Sequence, residues 1–292
     1  MEQILRELDS RGYVIEPVQF TIGRPDRATL ALRNPAGLAV VAKSYPLGPG
    51  DMAYANMQEL WRSTFGERRQ PPGLPRPIEY LPDIDVLIME RLSGRPLAEL
   101  GTLDEQALEN SIALLAALHQ CDAQPFKRRD SRGIVRSVER KANRVADLAP
   151  DFAEAFRAVV QRLKAVRVES APLAPCHGDF SPRNVLVAPG RWVIIDWDRF
   201  QLADPARDIA HFGAWSWVWE LRQHKPGTWW VLEHIADLYD SQRPEAMIAS
   251  RLHFHVAASL LRIVHGLLEL WPDDAYLVPQ LLAEALRRLR SG

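Results

Sequence analysis

The sequence predicts an α+β chain in two lobes, a β-rich N-terminal lobe over residues 1–92 and a mainly helical C-terminal lobe over 93–292. Three observations carry this. Before Leu92, short runs alternate apolar and polar residues, the period of a half-buried strand. Past "SGRPLAEL" the apolar residues recur every three or four positions, the period of a helix. And 292 residues, 47% hydrophobic and 25% charged, suffice for two lobes with sizeable cores.

The elements follow in order. "MEQILRELDSRG" sets Ile4, Leu5 and Leu8 on one face of a short amphipathic helix ended by Gly12, and its charges leave no apolar core for a signal peptide. "VQFTI", the turn "GRPDR", "ATLALR", the turn "NPAG", "LAVVAKSYP" and "DVLIME" read as the strands of a five-stranded lobe, interrupted by one helix near 51–65. "LDEQALENSIALLAALHQ" and "DFAEAFRAVVQRLKAV" are helical in period. Between them and the C-terminal third, "NVLVAPGRWVIIDWD" holds two apolar runs joined by Pro189-Gly190, a β-hairpin expected inside the helical lobe. "FHVAASLLRIVHGLLELW", 254–271, carries Arg262 and two histidines and is expected as a buried core helix, because a membrane span tolerates those residues poorly.

Charge and cysteine usage exclude several classes. Thirty-six Lys plus Arg against thirty-seven Asp plus Glu leave a net charge of -1, so there is no basic field for nucleic acid and any charged partner is met locally. Cys121 and Cys176 each sit in an apolar run. Neither a disulfide framework nor a cysteine zinc site is available, and a cytoplasmic protein with no membrane partner is expected.

One stretch carries chemistry: "CHGDFSPRN", residues 176–184, ahead of "VIIDWD". Phosphoryl transfer needs phosphates clamped, divalent metal held, and an acceptor hydroxyl aligned beside a carboxylate. Asp179 and Asn184 are five apart, an acid to accept the hydroxyl proton and an amide oxygen for metal. Asp196, twelve residues on at the end of a β-run, offers a second metal-binding group. Upstream, Lys43 closes the strand "LAVVAK" where the α/β-phosphates would lie, and Glu59 on the intervening helix is expected as its ion-pair partner.

"HGDFSPRN" followed by "VIIDWD", with Lys43 and "QELW" ahead of it, resembles the aminoglycoside phosphotransferase and choline kinase family of small-molecule kinases, distant relatives of protein kinases. Gly178, where protein kinases have Arg, favours the small-molecule branch. The resemblance spans about Gly23 to Asp208 and weakens in the C-terminal third. It implies a bilobal protein-kinase-like fold, ATP or GTP as donor with two Mg2+ ions, and a nucleotide-covering turn in which Gly23 is the only glycine, with Arg24 or Arg27 to compensate. It also implies a hinge at "MERL", 89–92, whose backbone at Glu90 and Leu92 meets adenine, and a structural Asp208 bracing the catalytic loop. His177 orients that loop, since Asp179 already holds the proton-accepting role. Asp198 either pairs structurally or supports the metal ligands. Ser181 and Arg183 stand where many relatives have His and Gly, so substrate contacts do not carry over.

The acceptor that the resemblance implies is a small-molecule hydroxyl compound: an amino sugar, amino alcohol, sugar or related metabolite. The alternatives are a protein Ser/Thr kinase-like enzyme, for which "DWDRFQLADPARD" leaves little room for an activation loop, and a non-catalytic nucleotide-binding scaffold. Two further segments have a structural and a functional reading. "FKRRDSRGIVRSVERKANR", 126–144, holds eight basic residues against two acids, with Arg132, Arg136, Arg140 and Arg144 along one helix face; it is a solvated face or an attractor of anions. Five of the nine tryptophans lie between 215 and 230, with Phe212, Trp215 and Trp219 on one face, as core or as an aromatic wall for the acceptor. His253 and His255, two apart, point away from a common metal. Residues 205–292 carry nine basic against ten acidic groups, which does not favour a polycationic acceptor.

Overall fold

A computed structural model describes residues 2–17, 28–46, 48, 50–101 and 103–290. The elements run α1 (Glu2–Ser10), β1 (Val14–Ile15), β2 (Thr29–Arg33), β3 (Ala39–Ser44), α2 (Gly50–Trp61), β4 (Pro77–Leu81), β5 (Val86–Glu90) and β6 (Arg95–Pro96). They continue with α3 (Glu105–Gln120), β7 (Arg128–Arg129), α4 (Ser131–Leu148), α5 (Ala153–Ala165), β8 (Ala174–Cys176), β9 (Val185–Ala188), β10 (Arg191–Ile194) and β11 (Gln201–Ala203). The chain ends with α6 (Ala206–Arg222), α7 (Trp230–Gln242), α8 (Ala249–Leu270) and α9 (Val278–Arg288). No helix among the described residues is long and apolar enough to cross a membrane.

The chain forms two compact units. The first comprises residues 1–95 with 121–124 and 186–198; the second holds the rest. In the first, five antiparallel strands lie in the order β1-β2-β3-β5-β4. β3 alternates strictly, burying Val40, Ala42 and Ser44 while Val41 and Lys43 take the opposite face, as the two-residue period of a strand demands. Leu8 and Tyr13 join Leu32, Val40, Ala42, Val86 and Ile88 in one core cluster. Lys43 is thereby directed away from that core, and its register partners are Thr29 and Leu87. The run "VQFTI" and the turn after it, with Gly23, Arg24 and Arg27, lie outside the described residues. β4 was not legible as a strand because Pro77 opens it and a register shift follows between Pro77 and Glu79.

The hairpin β9–β10 is present, but the part from residue 186 onward belongs to the first unit instead of the helical one. Hydrogen bonds explain the difference: Ile194 N donates to Gly73 O at 2.8 Å, and Arg191 reaches Pro72 O, Leu74 O and Glu90. The second unit packs α6 and α8 together, with α4, α7 and α9 around them. α8 buries Phe254, Leu260, Leu261, Val264 and Leu267, so its apolar run is core, as its embedded charge predicts.

Candidate active site

The first unit holds an acidic cluster around one ammonium. Lys43 Nζ lies 2.6 Å from Asp196 Oδ1 and 2.9 Å from Asp198 Oδ1, and the Tyr45 hydroxyl donates to the same Asp198 oxygen at 2.7 Å. Burial alone would push the Lys43 ammonium down; Asp196 and Asp198 outweigh it and hold the ammonium well above its usual range. Asp196 adopts a left-handed backbone at φ 68°, a conformation costly for a non-glycine residue and concentrated at functional positions. Its side chain remains 41% exposed.

Glu59 is elsewhere. Its Oε1 accepts from the backbone N of Gln124 at 3.0 Å, and the acids that pair with Lys43 are Asp196 and Asp198. The helix phase is the reason: α2 buries Ala53, Asn56, Met57 and Leu60, a stripe from which Glu59 is turned by one residue, roughly 100°. At the expected hinge, the Glu90 side chain is engaged by Arg76 N and Arg191, while Leu92 follows the end of β5 in irregular backbone.

The second unit holds a braced loop. Asp208, fully buried at the start of α6, accepts from His177 N at 2.7 Å and Gly178 N at 2.8 Å, and its Oδ2 lies 3.2 Å from His119 Nε2. Burial pushes the Asp208 carboxyl up, and His119, His177 and Arg207 more than reverse it. Gly178 has φ +78°, and a Cβ there would meet Gln201 Nε2 at 2.2 Å and Arg199 O at 2.5 Å, so only glycine fits. His177 accepts from Asp179 N through Nδ1 at 3.3 Å. Asn184 Nδ2 donates to the Asp179 carbonyl at 2.9 Å, which leaves its Oδ1 as the group on offer.

Asp179 itself is fixed by residues that the motif does not contain. Its Oδ1 meets His211 Nε2 at 2.9 Å and Arg262 Nη2 at 2.7 Å, while Oδ2 lies 3.6 Å from Arg199 Nε. Burial would raise the Asp179 carboxyl, yet Arg199, His211 and Arg262 hold it well below the usual range. Burial and Arg262 push the His211 imidazole down to about 4 against the pull of Asp179. His211 is thus neutral near pH 7 and donates Nε2–H to the carboxylate. The signal for Arg262 was visible: a charge inside an apolar helical run requires an anionic partner. His211 gave no such signal beyond its place one turn after Asp208.

His119, Cys176 and Asp208 come within metal-binding reach of one another, but their atoms are already used. Cys176 donates to Ala203 O, His119 Nδ1 meets the Tyr239 hydroxyl, and burial keeps the Cys176 thiol protonated. In the tryptophan segment, Trp215 and Trp217 are buried and Trp217 stacks on Trp229. The face of Trp215 is occupied by the Arg183 guanidinium, 4.2 Å from the ring centre and 4.9 Å from that of Trp271.

The family model described as "Phosphotransferase enzyme family" matches residues 48–227. The chain belongs to this family. Solved structures agree on the fold. An aminoglycoside-3'-phosphotransferase of type VIII superposes with a TM-score of 0.61 at 23% identity, covering 87% of this chain and 98% of its own. The choline kinase LicA from Streptococcus pneumoniae gives 0.65 at 16% identity, covering 100% and 99%. A spectinomycin phosphotransferase in complex with ADP and spectinomycin gives 0.60 at 16%, covering 99% and 92%. No curated protein matches in sequence. As a member of the phosphotransferase enzyme family, the chain is a small-molecule kinase with a kinase-like α+β fold.

Proposed function

We propose that the chain moves the γ-phosphate of ATP or GTP to a hydroxyl of a small metabolite, with Asp179 as the base. The observation that carries this is the state of Asp179. One carboxylate oxygen is fixed by His211 and Arg262, the side chain keeps 29% exposure, and the loop beneath it is locked by Asp208. A carboxylate held so far below its usual range is a weak base, which suits a loose phosphoryl-transfer transition state: the acceptor proton leaves late, and the carboxylate chiefly orients the hydroxyl. Asp179 then receives that proton through a short, prealigned hydrogen bond.

Lys43 is the ammonium proposed for the α/β-phosphates, and backbone groups at Glu90 and Leu92 for adenine. Asn184 Oδ1 and Asp196 Oδ2 are hard oxygens of the kind magnesium prefers, and both remain after Asn184 Nδ2 and Asp196 Oδ1 are engaged. Magnesium, when bound, neutralises phosphate charge; Asp198 serves by fixing Lys43 and Tyr45. The acceptors of the structural relatives, an aminoglycoside, choline and spectinomycin, support a small hydroxyl compound over a protein.

The test is a screen of hydroxylated metabolites for acceptor-dependent release of ADP in the presence of magnesium. The expected result is one acceptor class that raises release at least tenfold over the unassisted rate. Phosphorylation of serine peptides with no response to any metabolite would overturn the reading.

A further inference from the structure

Beside Asp179, within the second unit, lies a cavity of about 10 Å3 lined by Arg129, Arg207, Arg262, His255, Ser137 and Ser259 among others, room for about one water-sized group. No carboxylate lines it. Arg207 is 6% exposed and His255 2%. Arg207 Nη1, Arg262 Nη1 and His255 Nδ1 are buried with no hydrogen-bond partner among the described residues.

Buried guanidinium donors are almost always satisfied, and those that are not call for an unseen partner. The charges around the cavity are unbalanced. Arg129, Arg199, Arg207, Arg251 and Arg262 face Asp179, Asp204 and Asp208. Asp204 is occupied by Arg251 and His255, and Asp208 by the backbone of the loop. Burial pushes Arg207 down to about 10 and Arg262 to about 9, and the neighbouring guanidiniums add to it. Burial also lowers Arg129, with Arg199, Arg140 and Arg136 contributing. Each is the response of a cation buried beside other cations.

We infer that this cavity is an anion-binding subsite, that it takes one oxygen of a carboxylate or phosphate group whose other atoms stay at the partly exposed rim, and that the group is carried by the phosphate acceptor. The geometry ties it to the chemistry. Arg262 offers Nη2 to Asp179 and presents Nη1 without a partner, while Arg207 holds the Gly178 carbonyl through Nη2 at 3.2 Å and likewise leaves Nη1. An anion at Arg262 Nη1 lies one guanidinium away from the carboxylate that must reach the acceptor hydroxyl. Arg129, Ser137 and Arg262 are the lining residues that keep partial exposure, so a group enters past them. The basic segment 126–144 divides accordingly: Arg132, Arg136, Arg140 and Arg144 are solvated, and Arg129 turns to the cavity.

Only the assignment of the anion to the acceptor rests on Asp179 acting as the base. The anion site itself is tested with the full chain and inorganic phosphate, without nucleotide, by titration calorimetry. Saturable binding is expected, weakened roughly tenfold or more by Arg129→Gln, since that change removes a charge-assisted hydrogen bond. Ser137→Phe, which narrows the rim, weakens it as well, and Arg144→Gln on the solvated face leaves it within about twofold. Absence of saturable binding, meaning a cavity that holds water only, overturns the inference. So does binding that neither Arg129→Gln nor Ser137→Phe alters. In the ADP-release assay, phosphate competing with the acceptor supports an acceptor-borne anion, while phosphate binding that leaves the acceptor KM unchanged overturns that part. Failure of the kinase reading leaves the phosphate titration unaffected.

Discussion

The Lys43 cluster of the first unit and the Asp179 cluster of the second each present one partly exposed carboxylate, and the charges around the two are opposite. Asp196 shares a single ammonium with a second acid, Asp198, so that cluster keeps an excess of negative charge. Asp179 is held by Arg262 and faced by Arg199, so its surroundings keep an excess of positive charge. The same side chain is therefore suited to different work: an aspartate short of cations offers an oxygen to a metal, and one surrounded by guanidiniums orients a hydroxyl and tolerates an anion nearby.

The contrast breaks most visibly at Asp196. Asp196→Ala is expected to abolish magnesium-supported nucleotide binding and lower turnover by roughly three orders of magnitude or more, because it removes the exposed carboxylate proposed to hold the metal. Nucleotide affinity that still depends normally on magnesium would place the metal elsewhere.

Asp208→Asn tests the brace under the second cluster. It leaves His177 N and Gly178 N sharing a single carbonyl oxygen, and a loss of about 3–5 kcal/mol in urea unfolding is expected for breaking a buried charged network. A loss below about 1 kcal/mol would mean that the loop is held by other contacts.

The pH dependence of stability follows from His211. Its folded pKa of about 4 lies below the ordinary value near 6.5, so the unfolded chain binds the extra proton first. The stabilisation is complete above about pH 6.5 and is lost as pH falls towards 4, by roughly 3 kcal/mol. Asp179 and Asp208, both held low, add a further loss only below the usual carboxylate range. His211→Gln is expected to flatten the change between pH 7 and 4.5, and an unchanged slope in that variant would remove His211 from the account.

The smallest effect separates Glu59 from the first cluster. Lys43→Ala and Glu59→Gln are expected to add within about 0.5 kcal/mol, whereas Lys43→Ala and Asp198→Asn, in direct contact, do not. Glu59→Gln alone is expected to change stability by about 1 kcal/mol or less, the worth of its hydrogen bond to Gln124 N. Coupling between Lys43 and Glu59 in activity measurements would restore the ion pair that the spacing suggested.

How far the sequence could be read follows from where each cause lies along the chain. The turning of Lys43 away from the core and the closure of Asn184 onto the Asp179 carbonyl were legible because strand alternation and a fixed spacing within one segment place them. So was Asp208, through its resemblance to a family motif. Glu59 was misassigned because proximity in sequence to Lys43 says nothing about helix phase, which the apolar stripe of α2 sets. The hairpin's membership was hidden because its partners, Gly73, Leu74 and Glu90, lie about a hundred residues upstream. His211 and Arg262 were missed as partners of Asp179 for the same reason, since α6 and α8 bring them to it only after the second unit has packed.

Asp179→Asn tests the central claim most directly, with ADP affinity and acceptor-dependent turnover measured on the same preparation. The amide keeps the shape and loses the proton acceptor, so ADP affinity is expected within about twofold of the native value while turnover falls roughly 100- to 10,000-fold. Turnover near the native rate would contradict the assignment of Asp179 as the base.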